Sequence, residues 1–209
     1  MSGTILWDVD TQVDFIEPGG KLYVTGAEEA KPAMERLVGA ARAAGLVHVA
    51  SADDHELSDP EISEQPDFES TWPPHCLRGT PGAEKIAETK QLDPLPLPLV
   101  PVPGAILRRS LAGRREILVP KKHYDPFTNP NAETMLDALN PDAIVLFGVA
   151  TEICDDAAVR ALLRRGRRLT FVEDAARGVD ESRVTACLAA WRDAGVGFTT
   201  AEEAAASLR

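Results

Sequence analysis

Apolar residues are concentrated in six short runs along the chain, most of them rich in Val, Ile, Leu or Phe. Runs of this length, bounded by turn-forming residues, are typical of β-strands. We therefore predict strands at 5–10, 46–51, 116–120, 143–150, 169–174 and 195–200. Because most of these runs are apolar at nearly every position, the strands are expected to be covered on both faces of a sheet.

The segments between and after these runs have the apolar spacing and end signals of helices. We predict helices at 28–44, 131–139, 152–165, 181–194 and 201–208. In the first of these, Pro32 falls in the first turn, where proline is tolerated, and Gly45 ends the helix.

Strands that alternate with helices predict an α/β fold with a doubly wound, mostly parallel sheet and helices on both faces. We expect one domain over residues 1–209, with ligands bound beyond the carboxyl ends of the strands. The segment 93–104 contains five prolines, which exclude a regular helix or a central strand. We interpret it as an extended surface connection.

The charge of the chain bears on its partners. There are 22 basic and 33 acidic residues, so the formal net charge is −11, which disfavours nucleic acid and anionic membranes as partners. No apolar run reaches the roughly 18 residues of a membrane span, and a cytoplasmic location is the expectation. The three cysteines are too few and too scattered for a disulfide framework and are expected to be free thiols.

Three reactive side chains lie at or just past predicted strand ends, namely Asp10, Lys121 and Cys154. A carboxylate, an amine and a thiol at one sheet edge are suited to nucleophilic catalysis. Cys154 is in the first turn of a predicted helix, where the helix dipole favours a thiolate. The alternative role of Cys154 is that of a small buried residue. The sequence pattern alone also leaves Asp8 and Asp14 as alternatives to Asp10, and Lys122 as an alternative to Lys121.

A second group of residues has the chemistry of a metal site. Asp53 and His55 follow the strand 46–51, and His75 lies twenty residues further on, in a loop stiffened by prolines. Imidazole with carboxylate suits zinc, iron or manganese. Glu61 and Glu64 are candidates for a further ligand, and surface charge is their alternative role.

Several motifs resemble those of the isochorismatase-like cysteine hydrolases, and specifically of their nicotinamidase branch. These are VDTQVDF (9–15), PGGKLYVTGAEE (18–29), STWPPHCLRGTPGAE (70–84), KKHYDPF (121–127) and GVATEIC (148–154), in the family's order over most of the chain. The resemblance implies that Asp10, Lys121 and Cys154 are the catalytic triad. Tyr124, three residues after the lysine, selects Lys121 over Lys122. The resemblance also implies a cis peptide bond between Val149 and Ala150.

The resemblance further implies a substrate site and a metal site. The residues implied for substrate binding are Phe15, Trp72, Tyr124 and Val149, and those implied for an oxyanion hole are Ala150 and Cys154. One divalent metal ion, with zinc as first choice and iron or manganese as alternatives, is implied at Asp53, His55 and His75. Glu61 stands where some nicotinamidases have a further histidine, which leaves its role as a ligand open. A homo-oligomer is also expected.

The implied reaction is hydrolysis of nicotinamide to nicotinate and ammonia through a cysteine thioester. Three alternatives remain. A hydrolase of the same family could act on isochorismate, a carbamoyl compound or another small amide. A silent interaction protein could retain the fold, or a metal-binding protein could use Cys154 only as a structural residue. We interpret Cys76 and Cys187 as structural, His48 as packed and His123 as a polar loop residue.

Overall fold

A seven-stranded parallel sheet forms the centre of the protein in the computed structural model, which describes residues 3–208. Its strands are β1 (Thr4–Val9), β2 (Val47–Asp53), β3 (Leu95–Pro96), β4 (Glu116–Lys121), β5 (Ala143–Val149), β6 (Leu169–Arg177) and β7 (Gly197–Thr199). Their order across the sheet is β3-β4-β2-β1-β5-β6-β7, and every neighbouring pair is parallel.

Helices cover both faces of this sheet. They are α1 (Val13–Ile16), α2 (Lys31–Ala43), α3 (Gly104–Leu111), α4 (Ala132–Leu139), α5 (Asp156–Arg164), α6 (Glu181–Asp193) and α7 (Ala201–Ser207). Buried side chains of α1, α2 and α7 form one core cluster with the sheet, and those of α3 to α6 form another. The predicted doubly wound α/β fold is therefore confirmed. Within residues 3–208, no helix has the length and apolar character needed to cross a membrane.

The order of the strands reverses between β1 and β5. The chain leaves β1 through β2 toward the β3 edge, and then returns across β1 to start the other half of the sheet at β5. Such a switch point opens a crevice at the carboxyl ends of the two strands. Gly148 allows β5 to approach β1 closely here, because a Cβ atom at this position would lie 2.1 Å from the carbonyl oxygen of Val9.

Several predicted boundaries need correction. Strand β1 ends at Val9, so Asp10 follows the strand instead of closing it, whereas β2 and β4 extend to include Asp53 and Lys121. The predicted helix 28–44 begins as a 3₁₀ turn (Ala27–Ala30), and the predicted helix 152–165 begins as a π-helical turn (Thr151–Asp155). Both helices begin in tighter or wider turns that the apolar spacing does not distinguish from α-helix.

The proline-rich segment 93–104 is more than a connection. It contributes β3, which pairs with β4 at the edge of the sheet, where a strand tolerates proline. The prediction that it forms no helix or central strand holds, but an edge strand was not predicted. Helix α3, which starts directly after Pro103, was also missed; its Leu107 and Leu111 are buried in the core.

Candidate active site

The three candidate catalytic side chains meet at the switch-point crevice. Asp10 follows β1 with a left-handed backbone (φ 52°), Lys121 is the last residue of β4, and Cys154 lies in the π-helical turn that follows β5. The Nζ atom of Lys121 is 2.8 Å from Oδ2 of Asp10 and 3.8 Å from Sγ of Cys154. Asp10 and Lys121 are fully buried, and Cys154 is 7 % exposed.

A fourth side chain fixes the carboxylate of Asp10. The hydroxyl of Ser51, on β2, donates a hydrogen bond to Oδ1 of Asp10 at 2.9 Å, while Oδ2 faces Lys121. The backbone N–H of Asp10 also donates to the carbonyl oxygen of Ser51 at 3.2 Å. Asp10 is thus held on both sides. Sequence patterns did not indicate Ser51, which lies inside an apolar strand.

Burial controls the protonation of this group. It raises the pKa of the Cys154 thiol well above its ordinary value, and the nearby Lys121 ammonium offsets this only in part. Burial also raises the pKa of Asp10, against the opposing charge of Lys121. Burial alone would lower the pKa of Lys121, but the carboxylates of Asp10 and Asp53 outweigh it and raise that pKa well above its ordinary value.

The sequence pattern favoured a thiolate at Cys154 because of the helix N-terminus, but burial is the largest influence on this side chain and raises the pKa of its thiol. Burial and the carboxylates of Asp10 and Asp53 raise this pKa, and the Lys121 ammonium lowers it. The site pairs a thiol whose pKa is raised by burial with a carboxylate whose pKa is raised by the same burial. Such an arrangement can move a proton from sulfur to Asp10 while Lys121 stays charged.

Asp53, His55 and His75 form a second cluster beside the first. The Oδ2 atom of Asp53 lies 3.9 Å from Nε2 of His55 and 3.7 Å from Nε2 of His75. All three side chains are buried, and one potential ligand atom from each lies within 4.8 Å of the others. A carboxylate with two imidazoles at these separations can surround a divalent cation.

The hydrogen bonds of the two imidazoles also fit a metal site. Nδ1 of His55 donates to the carboxylate of Asp59 at 3.3 Å, and Nδ1 of His75 donates to the carbonyl oxygen of Pro73 at 2.7 Å. Metal-binding histidines are usually oriented in this way through the nitrogen that does not bind the ion. Nε2 of His55 is buried and has no hydrogen-bond partner among residues 3–208. The donor set therefore fits a divalent cation.

Gln12 aligns Asp53 with the rest of the site. Its side-chain amide accepts from the backbone N–H of Asp53 at 2.7 Å and donates to the carbonyl oxygens of Asp53 and Ala83 at 2.8 and 2.9 Å. The roles of Gln12 and Asp59 were missed in the sequence. Gln12 lies inside the VDTQVDF motif, so a signal was present, whereas the contact of Asp59 with His55 depends on the loop conformation.

Glu61 is near the metal cluster but outside it. It is buried and lines the adjacent cavity, yet it is not in the group of three whose ligand atoms lie within 4.8 Å of one another. Burial, together with the neighbouring charge of Asp53, raises the pKa of Glu61 to about 7. Glu64, the other candidate, is exposed.

A cavity of about 230 Å³ opens beside Cys154 and the metal cluster. All four residues predicted to bind substrate line it, namely Phe15, Trp72, Tyr124 and Val149. Other residues of the site also line it, namely Ala150, Glu61, Asp53 and His75. The sequence did not indicate the remaining lining residues, which are Leu22, Tyr23, Val24, Phe68, Ile153 and Val179. A wider cleft of about 750 Å³ lies at the opposite end of the sheet and contains none of the candidate residues.

The peptide bond between Val149 and Ala150 is cis, as expected. Cys76 is buried and Cys187 is half-buried, and neither is in a disulfide. His48 is buried with Nε2 3.3 Å from Oδ2 of Asp8, and His123 is exposed in a loop.

The chain is similar to proteins of one known family. Residues 101–203 match the profile of the isochorismatase domain. The chain is 31 % identical over 195 residues to a nicotinamidase/pyrazinamidase of Mycobacterium tuberculosis, covering 90 % of this chain and 94 % of that protein.

Solved structures share the fold at lower identity. A pyrazinamidase of Pyrococcus horikoshii in complex with zinc has a TM-score of 0.70 at 22 % identity, covering 94 % of this chain and 98 % of its own. An N-carbamoylsarcosine amidase of Thermoplasma acidophilum has a TM-score of 0.72 at 23 % identity, covering 95 % and 96 %. The fold therefore occurs in proteins named for different amides.

Proposed function

Since the chain belongs to the isochorismatase-like hydrolase family, we propose that it is a nicotinamidase that converts nicotinamide to nicotinate and ammonia. The observation that carries this proposal is the position of Cys154. Its sulfur shares one cavity with aromatic side chains and with a cluster that fits a divalent cation. The M. tuberculosis relative, named for nicotinamide and pyrazinamide chemistry, supports the same substrate class.

In the first half of the proposed reaction, Asp10 accepts the proton of the Cys154 thiol. The sulfur attacks the carboxamide carbon, and the C–N bond breaks as the nitrogen takes a proton from Asp10 and leaves as ammonia. The products are a thioester on Cys154 and an ionised Asp10. Lys121 supports this step because its ammonium lies 2.8 Å from the carboxylate and 3.8 Å from the sulfur.

In the second half, Asp10 takes a proton from water, and the resulting hydroxide attacks the thioester carbon. The C–S bond breaks, nicotinic acid leaves and ionises to nicotinate in solution, and the proton held by Asp10 returns to the sulfur. The backbone N–H groups of Ala150 and Cys154 are proposed to hold the oxyanion in both steps. Ala150 directly precedes the turn Thr151–Asp155, and Cys154 lies in it. Because N–H groups at the start of a helix lack intrahelical acceptors, they are free to bind an anion.

Asp53, His55 and His75 would hold the metal ion, with zinc as first choice and iron or manganese as alternatives. When bound, the ion would act as an electrophile that attracts the lone pair of the pyridine nitrogen. Phe15 supports the orientation of the ring, since its own ring lies 5.4 Å from that of His75 along the cavity wall. Trp72 and Val149 complete the proposed ring site.

The proposal is tested by ammonia release from nicotinamide, measured on the purified full chain and on two cysteine variants. Cys154→Ala should abolish release, whereas Cys187→Ala should retain it, because Cys187 lies on α6 outside the cavity. Chelator treatment should reduce release, and added zinc, iron(II) or manganese should restore it. The ion that restores it identifies the metal.

Other outcomes would favour the alternatives. If nicotinamide is not hydrolysed but Cys154 reacts with iodoacetamide, the protein is a family hydrolase with another substrate, and carbamoyl compounds are tested next. If Cys154 also stays unreactive as the pH is raised, the interpretation as a silent interaction protein is preferred. Sedimentation of the same sample tests the proposed homo-oligomer.

A further inference from the structure

A short cap covers one side of the cavity, and we define it as residues 63–72. Its Phe68 and Trp72 line the cavity, with ring centroids 6.0 Å apart in an edge-to-face arrangement. At the root of the cap, the backbone N–H of Ser63 donates to the carbonyl oxygen of Trp72 at 2.9 Å, and that of Trp72 donates to Glu61 at 2.7 Å. The cap therefore leaves and re-enters the protein at one point.

The cap is braced internally by Asp67. Its carboxylate accepts hydrogen bonds from the backbone N–H groups of Glu69, Ser70 and Thr71 at 2.8–2.9 Å and from the hydroxyls of Ser70 and Thr71 at 2.7 and 3.0 Å. The backbone N–H of Phe68 donates to Thr71 at 3.1 Å. Because these bonds close within the cap, it is expected to move as one unit.

A single hydroxyl fastens this unit to the rest of the site. The Tyr124 hydroxyl accepts a hydrogen bond from Nε1 of Trp72 at 2.6 Å and donates one to the carbonyl oxygen of Glu69 at 2.8 Å. Across residues 3–208, no other side-chain hydrogen bond or ion pair joins the cap to another part of the protein. Tyr124 itself follows β4 and lies three residues beyond Lys121.

We propose that Tyr124 is a positioning residue whose hydroxyl latches the cap over the cavity and thereby sets the affinity for the substrate. Both of its strong hydrogen-bonding directions are occupied by the cap, so the hydroxyl acts on a ring in the cavity through Trp72. The effect on substrate affinity rests on the proposed function. The position of the cap does not, because it can be measured without any substrate.

Tryptophan fluorescence provides that measurement. The chain has three tryptophans, and Trp7 and Trp191 are 0 % and 1 % exposed, whereas Trp72 is half-buried. Quenching by acrylamide therefore reports mainly on Trp72. Tyr124→Phe retains the ring and removes the hydroxyl, so we expect stronger quenching than in the unaltered protein.

The second tyrosine provides a matched control. Tyr23 also lines the cavity, but its hydroxyl bonds to Glu28 and Gly26 and not to the cap. Tyr23→Phe should leave quenching unchanged. Adding Trp72→Phe to Tyr124→Phe should remove the extra quenching. If the extra quenching persists, it comes from a loosened core, and the proposed role of the Tyr124 hydroxyl is wrong.

Kinetics separate the latch from direct substrate contact. In Tyr124→Phe, KM for nicotinamide should rise about 3- to 30-fold, the change that one or two ordinary hydrogen bonds produce, with a smaller effect on kcat. A raised KM with unchanged quenching would show that the hydroxyl binds the substrate itself, which overturns the latch. Unchanged quenching with unchanged KM overturns it too. If nicotinamide is not a substrate, the quenching difference still decides the role of Tyr124.

Discussion

The Oδ1 atom of Asp53 lies 2.5 Å from Nζ of Lys121, at the centre of the site. The Oδ2 atom of the same carboxylate faces the Nε2 atoms of His55 and His75. Burial disfavours the ionised form of the Asp53 carboxylate and would raise its pKa. The charge of Lys121 and the two imidazoles outweigh burial and hold the pKa of Asp53 well below its ordinary value. One ionised side chain therefore belongs to both the thiol site and the metal site.

This sharing predicts that Asp53→Asn changes the thiol even when no metal is bound. Burial is the main cause of the high pKa of Cys154, and the charges of Asp10 and Asp53 raise it further. Removing the charge of Asp53 should lower the pKa of Cys154, and the thiolate fraction increases about tenfold for each unit of that decrease. Iodoacetamide alkylation of the chelator-treated protein, measured against pH, should therefore be faster in the variant.

His55→Ala is the matched control for this experiment. It removes another side chain of the same cluster without removing the carboxylate beside Lys121. Its alkylation profile should follow that of the unaltered protein, although both variants should lose metal affinity. Equal alkylation rates for Asp53→Asn and the unaltered protein would contradict the coupling.

Lys121 is expected to stabilise the fold as well as the reaction. It is fully buried between the carboxylates of Asp10 and Asp53. Lys121→Met leaves these two buried charges without a partner, and breaking a buried ion pair costs about 3–5 kcal/mol. Urea unfolding at neutral pH measures this loss. Lys122→Met is the control, because that lysine forms a partly exposed pair with Asp59 and should cost at most about 1 kcal/mol. Equal losses would show that the buried pairs are not the cause.

The position of Glu61 predicts a graded response of metal affinity. His75→Ala removes a residue of the cluster and should weaken zinc binding by more than about 100-fold. Glu61→Gln should weaken it by no more than about 10- to 100-fold, the range for groups outside the coordination sphere. Exposed Glu64→Gln should have no effect. Competition with a chromophoric chelator measures all three. A loss in Glu61→Gln as large as that in His75→Ala would make Glu61 a ligand.

The sequence predicted the parts of the site that depend on strand ends. Asp10, Lys121 and Cys154 each follow or end an apolar strand, and parallel strands bring their carboxyl ends to one edge of the sheet. The motifs then selected Asp10 over Asp8 and Lys121 over Lys122. The distances bear out that these three side chains meet, while their catalytic roles remain a proposal.

Features that depend on packing were not predicted. The dual contact of Asp53 requires the register of β2 against β4, in which Asp53 is paired with Lys121, and strand patterns do not give register. The position of Cys154 at the start of a helix is visible in the sequence, but the burial that raises its pKa is not. Helix α3 was missed because it starts immediately after a segment of five prolines.

Asp155 provides a test of burial that is independent of the reaction. It follows Cys154, is fully buried, and neither of its carboxyl oxygens has a hydrogen-bond partner among residues 3–208. Burial raises the pKa of Asp155 well above its ordinary value, and the neighbouring acidic groups raise it further. The folded protein therefore keeps this side chain neutral to a higher pH than the unfolded chain, which ionises it above about pH 4.

The sign of the pH effect follows from these two states. A carboxyl group whose pKa is higher in the folded state contributes full stability below its unfolded pKa, and this contribution is lost as the pH rises. Asp155→Asn cannot ionise, so it should gain stability relative to the unaltered protein above about pH 4, by at most about 1.4 kcal/mol for each pH unit. Urea unfolding at pH 5, 6, 7 and 8 measures the difference, with exposed Asp137→Asn as the control. A difference that does not change with pH would mean that Asp155 is ionised in the fold and has a partner.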